Sequence, residues 1–335
     1  MSAAPNAAAG GGSAIPFFRD LGVVVNYTQN SLVSKEVNRG MVYREMYLRL
    51  TGQLTVTQGN NTPANTLPGD EWAVVKDITL RINGRDVFKR IDGAALRWLQ
   101  YYLFGEFPRK SLGNLGDATT ANPAFDSTLI LPFWMPRSAN PMDFAFDSSK
   151  VSRIDLEITW GTHTDVNSAA TGFTVSPSID VQVYEVANVG GAFARWNVYP
   201  IANSVAGATN KFQIKIPVGY LYRSFLIRDS SLIISALHLE SHPTEWLDMP
   251  IQVVRDVLGV ARRNSIVPGA FTNTFYLAGA PGDDINHFIY MDFVGHGNNT
   301  ESIDSFGLSD LFLEPDTTGA GLITVYPQQL VVPRA

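Results

Sequence analysis

The sequence predicts an all-β protein, built from two tandem eight-stranded jelly-roll sandwiches that each carry one short inserted helix. Three observations support this fold class: short segments alternate apolar and polar residues, turn-forming residues separate those segments, and the same order of elements occurs twice along the chain. With 335 residues, of which 45% are hydrophobic, the chain is long enough to bury the cores of two medium-sized domains.

The alternating segments indicate strands with one buried face. In residues 46–56 most even positions are apolar and most odd positions are polar, and a period of two places one face of a strand on a core. The same period returns in residues 72–82, 154–160 and 179–183. Asn83-Gly84 follows one of these segments and is typical of a tight hairpin turn. Many short strands with few helices indicate a sandwich or a barrel.

Two segments are predicted to be helical. They span residues 92–104 and 248–258, and each begins at an aspartate that can accept hydrogen bonds from the free N–H groups of the first turn. Leu99 and Val254 lie on the apolar faces of the two segments. We therefore expect both side chains to point inward and to pack each helix onto its own sandwich.

The order strand, turn, aromatic residue, capped helix occurs once in each half of the chain, which indicates the duplication of a whole domain. We expect an N-terminal arm and lead-in at residues 1–40, a first jelly roll at 41–190, a linker at 191–211 and a second jelly roll with a C-terminal tail at 212–335. The two rolls should be superposable and should stand side by side, joined by the linker, which is rich in Gly, Ala and Asn.

The first residues of the chain are predicted to form a flexible arm. Residues 1–15 are nearly all Ala, Gly, Ser and Asn, and no charge precedes Arg19, so this stretch buries too little apolar area to offset the entropy of ordering it. Ile15-Pro16-Phe17-Phe18 follows, with three bulky apolar side chains. These suit either docking on a partner or capping the chain's own core, and both alternatives stay open.

Composition excludes several classes of protein. The chain has no cysteine, which excludes a disulfide framework, a thiolate zinc site and a cysteine nucleophile. A formal net charge of −6 argues against a protein that wraps nucleic acid, and the arm lacks the clustered Lys and Arg that hold a genome. No apolar run approaches the roughly 20 residues that span a bilayer, and the N-terminus does not have the pattern of a signal peptide.

No catalytic, cofactor-binding or metal-binding residue is predicted. The P-loop, the His-Glu-x-x-His motif and the Gly-x-Ser-x-Gly motif are all missing from the sequence. His238 and His242 are near neighbours, but no third metal ligand is close to them in sequence. Residues 163–165 and 282–284 contain aspartates that could bind calcium, although loop aspartates more often form turns.

The element order resembles that of the double jelly-roll major capsid proteins of tailless, lipid-containing icosahedral phages, of the corticovirus and finnlakevirus kind. The resemblance is carried by Leu80-Arg-Ile-Asn-Gly84, by Val87-Phe88 and by the helix at 92–104, with a weaker second version in the other half. It covers residues 40–332. It implies a structural subunit and no enzyme: three copies form a homotrimer whose six jelly rolls make a pseudo-hexameric tile of the shell.

The resemblance also implies partners. They are further copies of this chain in neighbouring capsomers, minor capsid or penton proteins, and an internal lipid membrane reached through the arm, with no cofactor and no direct contact with nucleic acid. The chain would then be made and assembled in the host cytoplasm and end in the virion capsid.

Two alternatives from other functional classes stay open. One is a secreted tandem jelly-roll hydrolase that acts on glycans, for which Asp155 with Glu157, or Glu301 with Asp304, would supply paired carboxylates. The other is a carbohydrate- or receptor-binding module of a spike, which would present exposed aromatic platforms.

Overall fold

The structure, a computed structural model, describes residues 15–67, 69–104, 110–112, 115–134, 144–187, 195–254, 287–293 and 302–331. The strands of the first half are β1 (Ile15–Asn26), β2 (Leu32–Glu36), β3 (Val42–Thr55), β4 (Val75–Ile82), β5 (Asp86–Ile91), β6 (Lys110–Leu112), β7 (Ala124–Pro132), β8 (Phe146–Asp147), β9 (Ile154–Trp160) and β10 (Gly172–Ala187). Those of the second half are β11 (Arg195–Val198), β12 (Ile201–Val205), β13 (Ile214–Lys215), β14 (Leu221–Asp229), β15 (Ile234–Ser241), β16 (Thr244–Pro250), β17 (Phe288–Asp292), β18 (Ile303–Asp304), β19 (Phe312–Thr317) and β20 (Gly321–Val331). The helices are α1 (Gly93–Phe104) and α2 (Ile251–Val253).

The first half forms a sandwich of two antiparallel sheets. One sheet has the order β1-β10-β3-β7-β6, with β8 beside β3, and the other contains β5-β4-β9-β2. The predicted alternation in residues 46–56 is confirmed, because Leu48 and Leu50 are fully buried between the sheets whereas Arg49 is exposed on the outer face. Ile78 and Leu156 from the opposite sheet belong to the same core.

The second half forms a second sandwich. Its outer sheet has the order β13-β19-β15-β16, and it faces β17-β14-β20, with β12 beside β20. Ile214 and Leu237 from the outer sheet pack against Phe225 and Val325 from the other, and all four side chains are fully buried. The all-β class and the two tandem jelly rolls predicted from the sequence are therefore confirmed.

One sheet runs through both rolls. β11 pairs antiparallel with β20 of the second roll, and it also pairs with β5 of the first roll in parallel at Val198↔Lys89. The resulting ten-stranded sheet joins the rolls by backbone hydrogen bonds. Residues 191–211 were expected to be a linker, but β11 and β12 lie within them. Trp196 and Val198 explain the difference, because they alternate along β11 and are both buried.

Residues 15–36 also differ from the expected arm and lead-in. β1 pairs with β10 and β2 pairs with β9, both antiparallel, so these residues are part of the first roll. They are ordered because their backbone groups complete the sheets and because Leu21 and Val25 are buried in the core. Residues 1–14, the rest of the predicted arm, lie outside the described residues.

Helix α1 confirms the first predicted helix. Asp92 caps it, since its Oδ1 accepts a hydrogen bond of 2.7 Å from the N–H of Ala95. Leu99 is buried as expected. The neighbouring residue Trp98 contacts the second roll, where its ring stacks on Phe288 with centroids 5.5 Å apart. Helix α1 thus lies between the two sandwiches.

The second helix begins later than predicted. Residues 244–250 belong to β16, so Asp248 is a strand residue and does not cap the helix, which begins after Pro250. The strand forms because Leu247 and Met249 pack against the core with a period of two. Val254 is fully buried as predicted, and residues 255–258 of the predicted helix lie outside the described residues. In the part of the chain that the structure describes, no helix has the length and apolar character needed to cross a membrane.

Candidate assembly surfaces

An aromatic face covers the outside of the first roll near the start of β1. It consists of Phe18, Tyr47, Trp134, Tyr184 and Arg44. The Phe18 ring is 74% exposed and lies parallel to the Tyr184 ring, with centroids 4.4 Å apart. The guanidinium of Arg44 lies 4.4 Å from the centroid of the Trp134 ring, a favourable cation–π contact.

Glu45 holds the aromatic face in place from beneath. Its carboxylate accepts a hydrogen bond of 2.5 Å from Nε1 of Trp134 and another from the hydroxyl of Tyr47. Burial, together with this hydrogen bond to Glu45, raises the pKa of Tyr47, so the hydroxyl stays protonated and continues to donate. The Trp134 and Tyr47 rings are therefore held in place by hydrogen bonds within the chain, which lowers the entropy cost of association at this face.

The strand that carries Phe18 is also a sheet edge. Among the described strands, β1 pairs with β10 and with no other, so its second edge has free backbone N–H and C=O groups. Phe17 and Ile15 are 41% and 45% exposed on the same strand. An edge strand with exposed apolar side chains is suited to contact with another chain.

A polar network fixes the two rolls to each other. Asp92, at the start of α1, uses its Oδ2 to bind Arg228 Nη1 of the second roll at 3.2 Å and the hydroxyl of Tyr326. Although burial opposes it, the charge of Asp92 raises the pKa of Arg228. Burial, followed by the charge of Asp92, holds the pKa of Tyr326 well above its usual value. Both groups therefore remain protonated donors at neutral pH.

Lys89 lies in a second polar contact between the rolls. Its side chain is buried beside β11, where Nζ donates a hydrogen bond of 2.9 Å to the carbonyl oxygen of Trp196 and lies 4.2 Å from the centroid of that ring. Burial lowers the pKa of Lys89 well below its usual value. The shared sheet, α1 and these two contacts leave little freedom for one roll to rotate against the other.

The outer sheet of the second roll carries an acidic face, which consists of His238 and the carboxylates of Glu240, Glu245, Asp248, Glu314 and Asp316. Asp248 on β16 and Glu314 on β19 lie directly opposite His238 on β15. Nδ1 of His238 lies 3.2 Å from Glu245 and 3.2 Å from Asp248, and its Nε2 lies 3.4 Å from Asp316.

Charge at the edge of the acidic face is partly balanced. Lys211 Nζ lies 2.8 Å from Glu245 and 3.6 Å from Glu240. The Lys211 hydrogen bond is the main reason why the pKa of Glu245 is lowered. Glu314, in contrast, is buried, and this burial raises its pKa. His242 is more exposed and contacts Glu240 at 3.1 Å.

The acidic face contains residues that sequence reasoning did not bring together. A regular strand places Glu245 and Asp248, three positions apart, on opposite faces. In β16 an extra residue, Trp246, makes a bulge between the pairs Leu239↔Leu247 and Glu240↔Glu245, and a bulge re-aims the side chains beyond it. Glu245 therefore faces His238. No sequence pattern marks this bulge.

The other candidate residues have structural partners. Asp155 binds Arg153 at 2.8 Å, and the two oxygens of Glu157 accept hydrogen bonds from Nε and Nη2 of Arg81, so each carboxylate is held by an arginine. Asp165 accepts hydrogen bonds from Thr162 and closes a turn.

The structure describes only part of the two remaining candidates, the Glu301–Asp304 pair and residues 282–284. Asp304 accepts a hydrogen bond of 2.9 Å from the N–H of Phe306. Its predicted partner Glu301 and residues 282–284 lie outside the described residues.

Comparison with known proteins places the fold. No protein-family model matches the chain, and no curated protein is similar to it in sequence. Solved structures do match, and the following three are viral proteins. The STIV MCP (Sulfolobus Turreted Icosahedral Virus) is 12% identical, with a TM-score of 0.69 over 95% of this chain and 97% of that one. The major capsid protein of bacteriophage PM2 is 14% identical, with a TM-score of 0.64 over 96% and 98%. The faustovirus major capsid protein is 9% identical, with a TM-score of 0.55 over 96% and 91%.

These matches extend over both rolls and over nearly the full length of each chain. At such low sequence identity they show a shared fold. That fold is the double jelly roll.

Proposed function

We propose that this chain is the major capsid protein of a tailless, lipid-containing icosahedral phage, and that it self-assembles as pseudo-hexameric homotrimers into the shell. The observation that carries the proposal is the rigid pairing of two jelly rolls through one continuous sheet. A tile made of six rolls needs this rigidity, because contacts on both rolls must be satisfied at the same time in a closed lattice.

The fold comparisons support the same function. The match takes in 96% of this chain and 98% of the PM2 capsid protein, so the likeness includes both rolls and their arrangement. The aromatic face adds a surface of the kind that subunit contacts use, since exposed aromatic rings and arginine are enriched at protein interfaces. We propose that a neighbouring copy of this chain packs on it.

Further partners follow from the resemblance to phage capsid proteins. We propose contacts with neighbouring capsomers, with minor capsid or penton proteins, and with an internal lipid membrane through the N-terminal arm that ends in Ile15-Pro16-Phe17-Phe18, after assembly in the host cytoplasm. The subunit would not package nucleic acid itself. The net charge of −6 and the acidic face support this, because binding of phosphates depends on clustered Lys and Arg.

We propose that the chain is a structural protein and not an enzyme. The pairing of Asp155 and Glu157 with arginines supports it over a glycan hydrolase, because hydrolysis needs two carboxyl groups that face the substrate, whereas these two are each engaged by a guanidinium of the same chain.

Size-exclusion chromatography with light scattering tests the proposal. We expect a stable particle with three times the chain mass of 36.7 kDa, and negative-stain images should show tiles with six-fold outlines. A monomer that hydrolyses glycans, or one that binds them without forming higher assemblies, would contradict the proposed function.

A further inference from the structure

We propose that the second roll binds one divalent transition-metal ion of the zinc class, held by Nδ1 of His238 and by one carboxylate oxygen each from Glu245 and Asp248. The ion would lie on the outer sheet and would join β15 to the edge strand β16. This inference does not depend on the proposed capsid function.

The spacing of the three candidate ligand atoms supports the proposal. All three lie within 4.8 Å of one another, and Nδ1 of His238 is 3.2 Å from the nearest oxygen of Glu245 and of Asp248. In a tetrahedral zinc site, bonds of roughly 2.0–2.2 Å place neighbouring donor atoms about 3.4 Å apart. Two of the three separations are therefore already close to the spacing that such an ion requires, and the third is no more than 4.8 Å.

Hydrogen bonding explains this spacing less well. One ring nitrogen carries at most one hydrogen, so two carboxylates can share it only in a bifurcated bond, in which the hydrogen points straight at neither acceptor. A contact of 3.2 Å is also at the long end for N–H···O hydrogen bonds, which are most often 2.9–3.0 Å. A cation between His238, Glu245 and Asp248 would satisfy all three groups together.

The second ring nitrogen of His238 supplies an independent observation. The His238 side chain is only 8% exposed, and its Nε2 lies 3.4 Å from Oδ2 of Asp316. Among the described residues, no group forms a hydrogen bond with this nitrogen. A histidine that binds metal through one nitrogen usually donates its other N–H to a carboxylate. A metal on Nδ1 would fix the tautomer with hydrogen on Nε2, and a small shift would then complete the bond to Asp316.

Glu314 completes the argument from charge. It lies directly opposite His238 on β19 and is 1% exposed, and within the described part of the structure its Oε1 has no hydrogen-bond partner. Burial of a carboxylate beside other carboxylates is unfavourable, and the charge of Lys211 offsets only part of this cost, since the pKa of Glu314 remains raised. A divalent ion a few ångströms away would offset this cost.

Lys211 occupies part of this site in the structure described here. Its Nζ binds the same Glu245 oxygen that lies nearest to His238, at 2.8 Å. The ammonium group and the metal ion would compete for this oxygen. Removal of the ammonium group should therefore strengthen metal binding, whereas a purely structural Lys211–Glu245 ion pair gives no such effect.

Titration of the full-length chain with Co²⁺ tests the proposal, because tetrahedral Co²⁺ has intense visible absorption bands that report its ligands. After treatment with a chelator, we expect the bands to saturate at one Co²⁺ per chain and to disappear when Zn²⁺ is added. His238→Gln should abolish them, and Asp248→Asn, at a largely exposed position, should weaken Co²⁺ binding at least roughly tenfold. Asp316→Asn should weaken it by about 10–100-fold.

His242→Gln is the matched control. His242 lies four positions from His238 in sequence but contacts Glu240 and Asp310 instead of the proposed ligands, so its loss should leave Co²⁺ affinity unchanged. Lys211→Met should bind Co²⁺ more tightly than the natural chain. Failure to saturate at one Co²⁺ per chain, equal affinity in Asp248→Asn, or an equal loss in His242→Gln would overturn the proposal. If Lys211→Met binds Co²⁺ no more tightly than the natural chain does, Glu245 is excluded as a ligand.

Discussion

Asp92 and Arg228 lie 136 positions apart in the chain, and their side chains meet at 3.2 Å across the boundary between the two rolls. The other oxygen of Asp92 caps helix α1. One carboxylate therefore both starts the helix that packs between the rolls and binds the strand on the far side. It couples the folding of the first roll to the docking of the second.

We expect Asp92→Ala to lower the free energy of unfolding by about 2–3 kcal/mol, because it removes a helix cap and leaves the partly buried Arg228 without its carboxylate. Urea denaturation measures the change. Asp77→Ala is the control, since Asp77 binds the exposed Arg90 and such pairs contribute less than about 1 kcal/mol. In a double-mutant cycle, a coupling energy near zero between Asp92 and Arg228 would contradict the role given to this pair.

Val254→Asp should destabilise the second roll by several kcal/mol, because it buries an unpaired charge in a core position that is fully buried. Val253→Asp is a matched control, since Val253 is the preceding residue and is 39% exposed. Thermal unfolding of the two variants makes the comparison. Leu99→Asp should act on the first roll in the same way, and normal solubility and assembly of that variant would refute the inward packing of α1.

The alternating segments were sufficient to predict the fold class, because burial of one strand face leaves a period of two in the sequence. Asp92 was also identifiable as a cap from its position before an apolar helical segment. Asp248 also precedes an apolar helical segment, but the prediction that it caps a helix was wrong. Leu247 and Met249 pack as strand residues, and pairing with β15 outweighs the local tendency to cap. The superposition of the two rolls stays a prediction.

The surfaces were harder to predict than the core. The acidic face depends on the bulge at Trp246, which arises from pairing with β15 and not from local sequence. Among the described residues, the continuous sheet depends on one parallel bridge between Val198 and Lys89, which are distant in the chain. The bridge joins residues that are far apart in the chain, whereas the bulge lies within a hairpin of two adjacent strands. We find no sequence pattern that marks either of them.

Lys89 predicts a dependence of stability on pH. Burial lowers its pKa in the folded chain, whereas the unfolded chain has the ordinary lysine value of about 10.4. Between these two values the unfolded chain binds more protons, so the free energy of unfolding should rise with pH across that window. Thermal midpoints of the natural chain and of Lys89→Met at neutral and at mildly alkaline pH measure this effect. We expect the thermal midpoint to rise less between the two pH values in Lys89→Met than in the natural chain. An equal rise in both proteins would show that Lys89 does not titrate in this way.

The purified subunit should bind DNA weakly, and this binding should vanish by physiological salt. Residues 1–18 carry no charged side chain, and phosphate binding needs clustered Lys and Arg. Fluorescence anisotropy with single- and double-stranded DNA at several salt concentrations measures the affinity. Tight, salt-resistant binding that is lost when residues 1–14 are deleted would make this segment a genome tether and would contradict the prediction.

Phe18→Ser separates the stability of the subunit from its assembly. The ring is 74% exposed, so its loss should change the unfolding temperature of the isolated chain only slightly. If a neighbouring copy covers the aromatic face, burial of this ring contributes to association, and a few such aromatic anchors carry most of the binding energy of an interface. We therefore expect Phe18→Ser to shift the equilibrium from trimers or larger assemblies toward smaller species in light scattering.

Val24→Ser, on the same strand at a position 41% exposed and outside the aromatic face, is the control. Equal assembly of both variants would show that the contact between subunits lies on another surface.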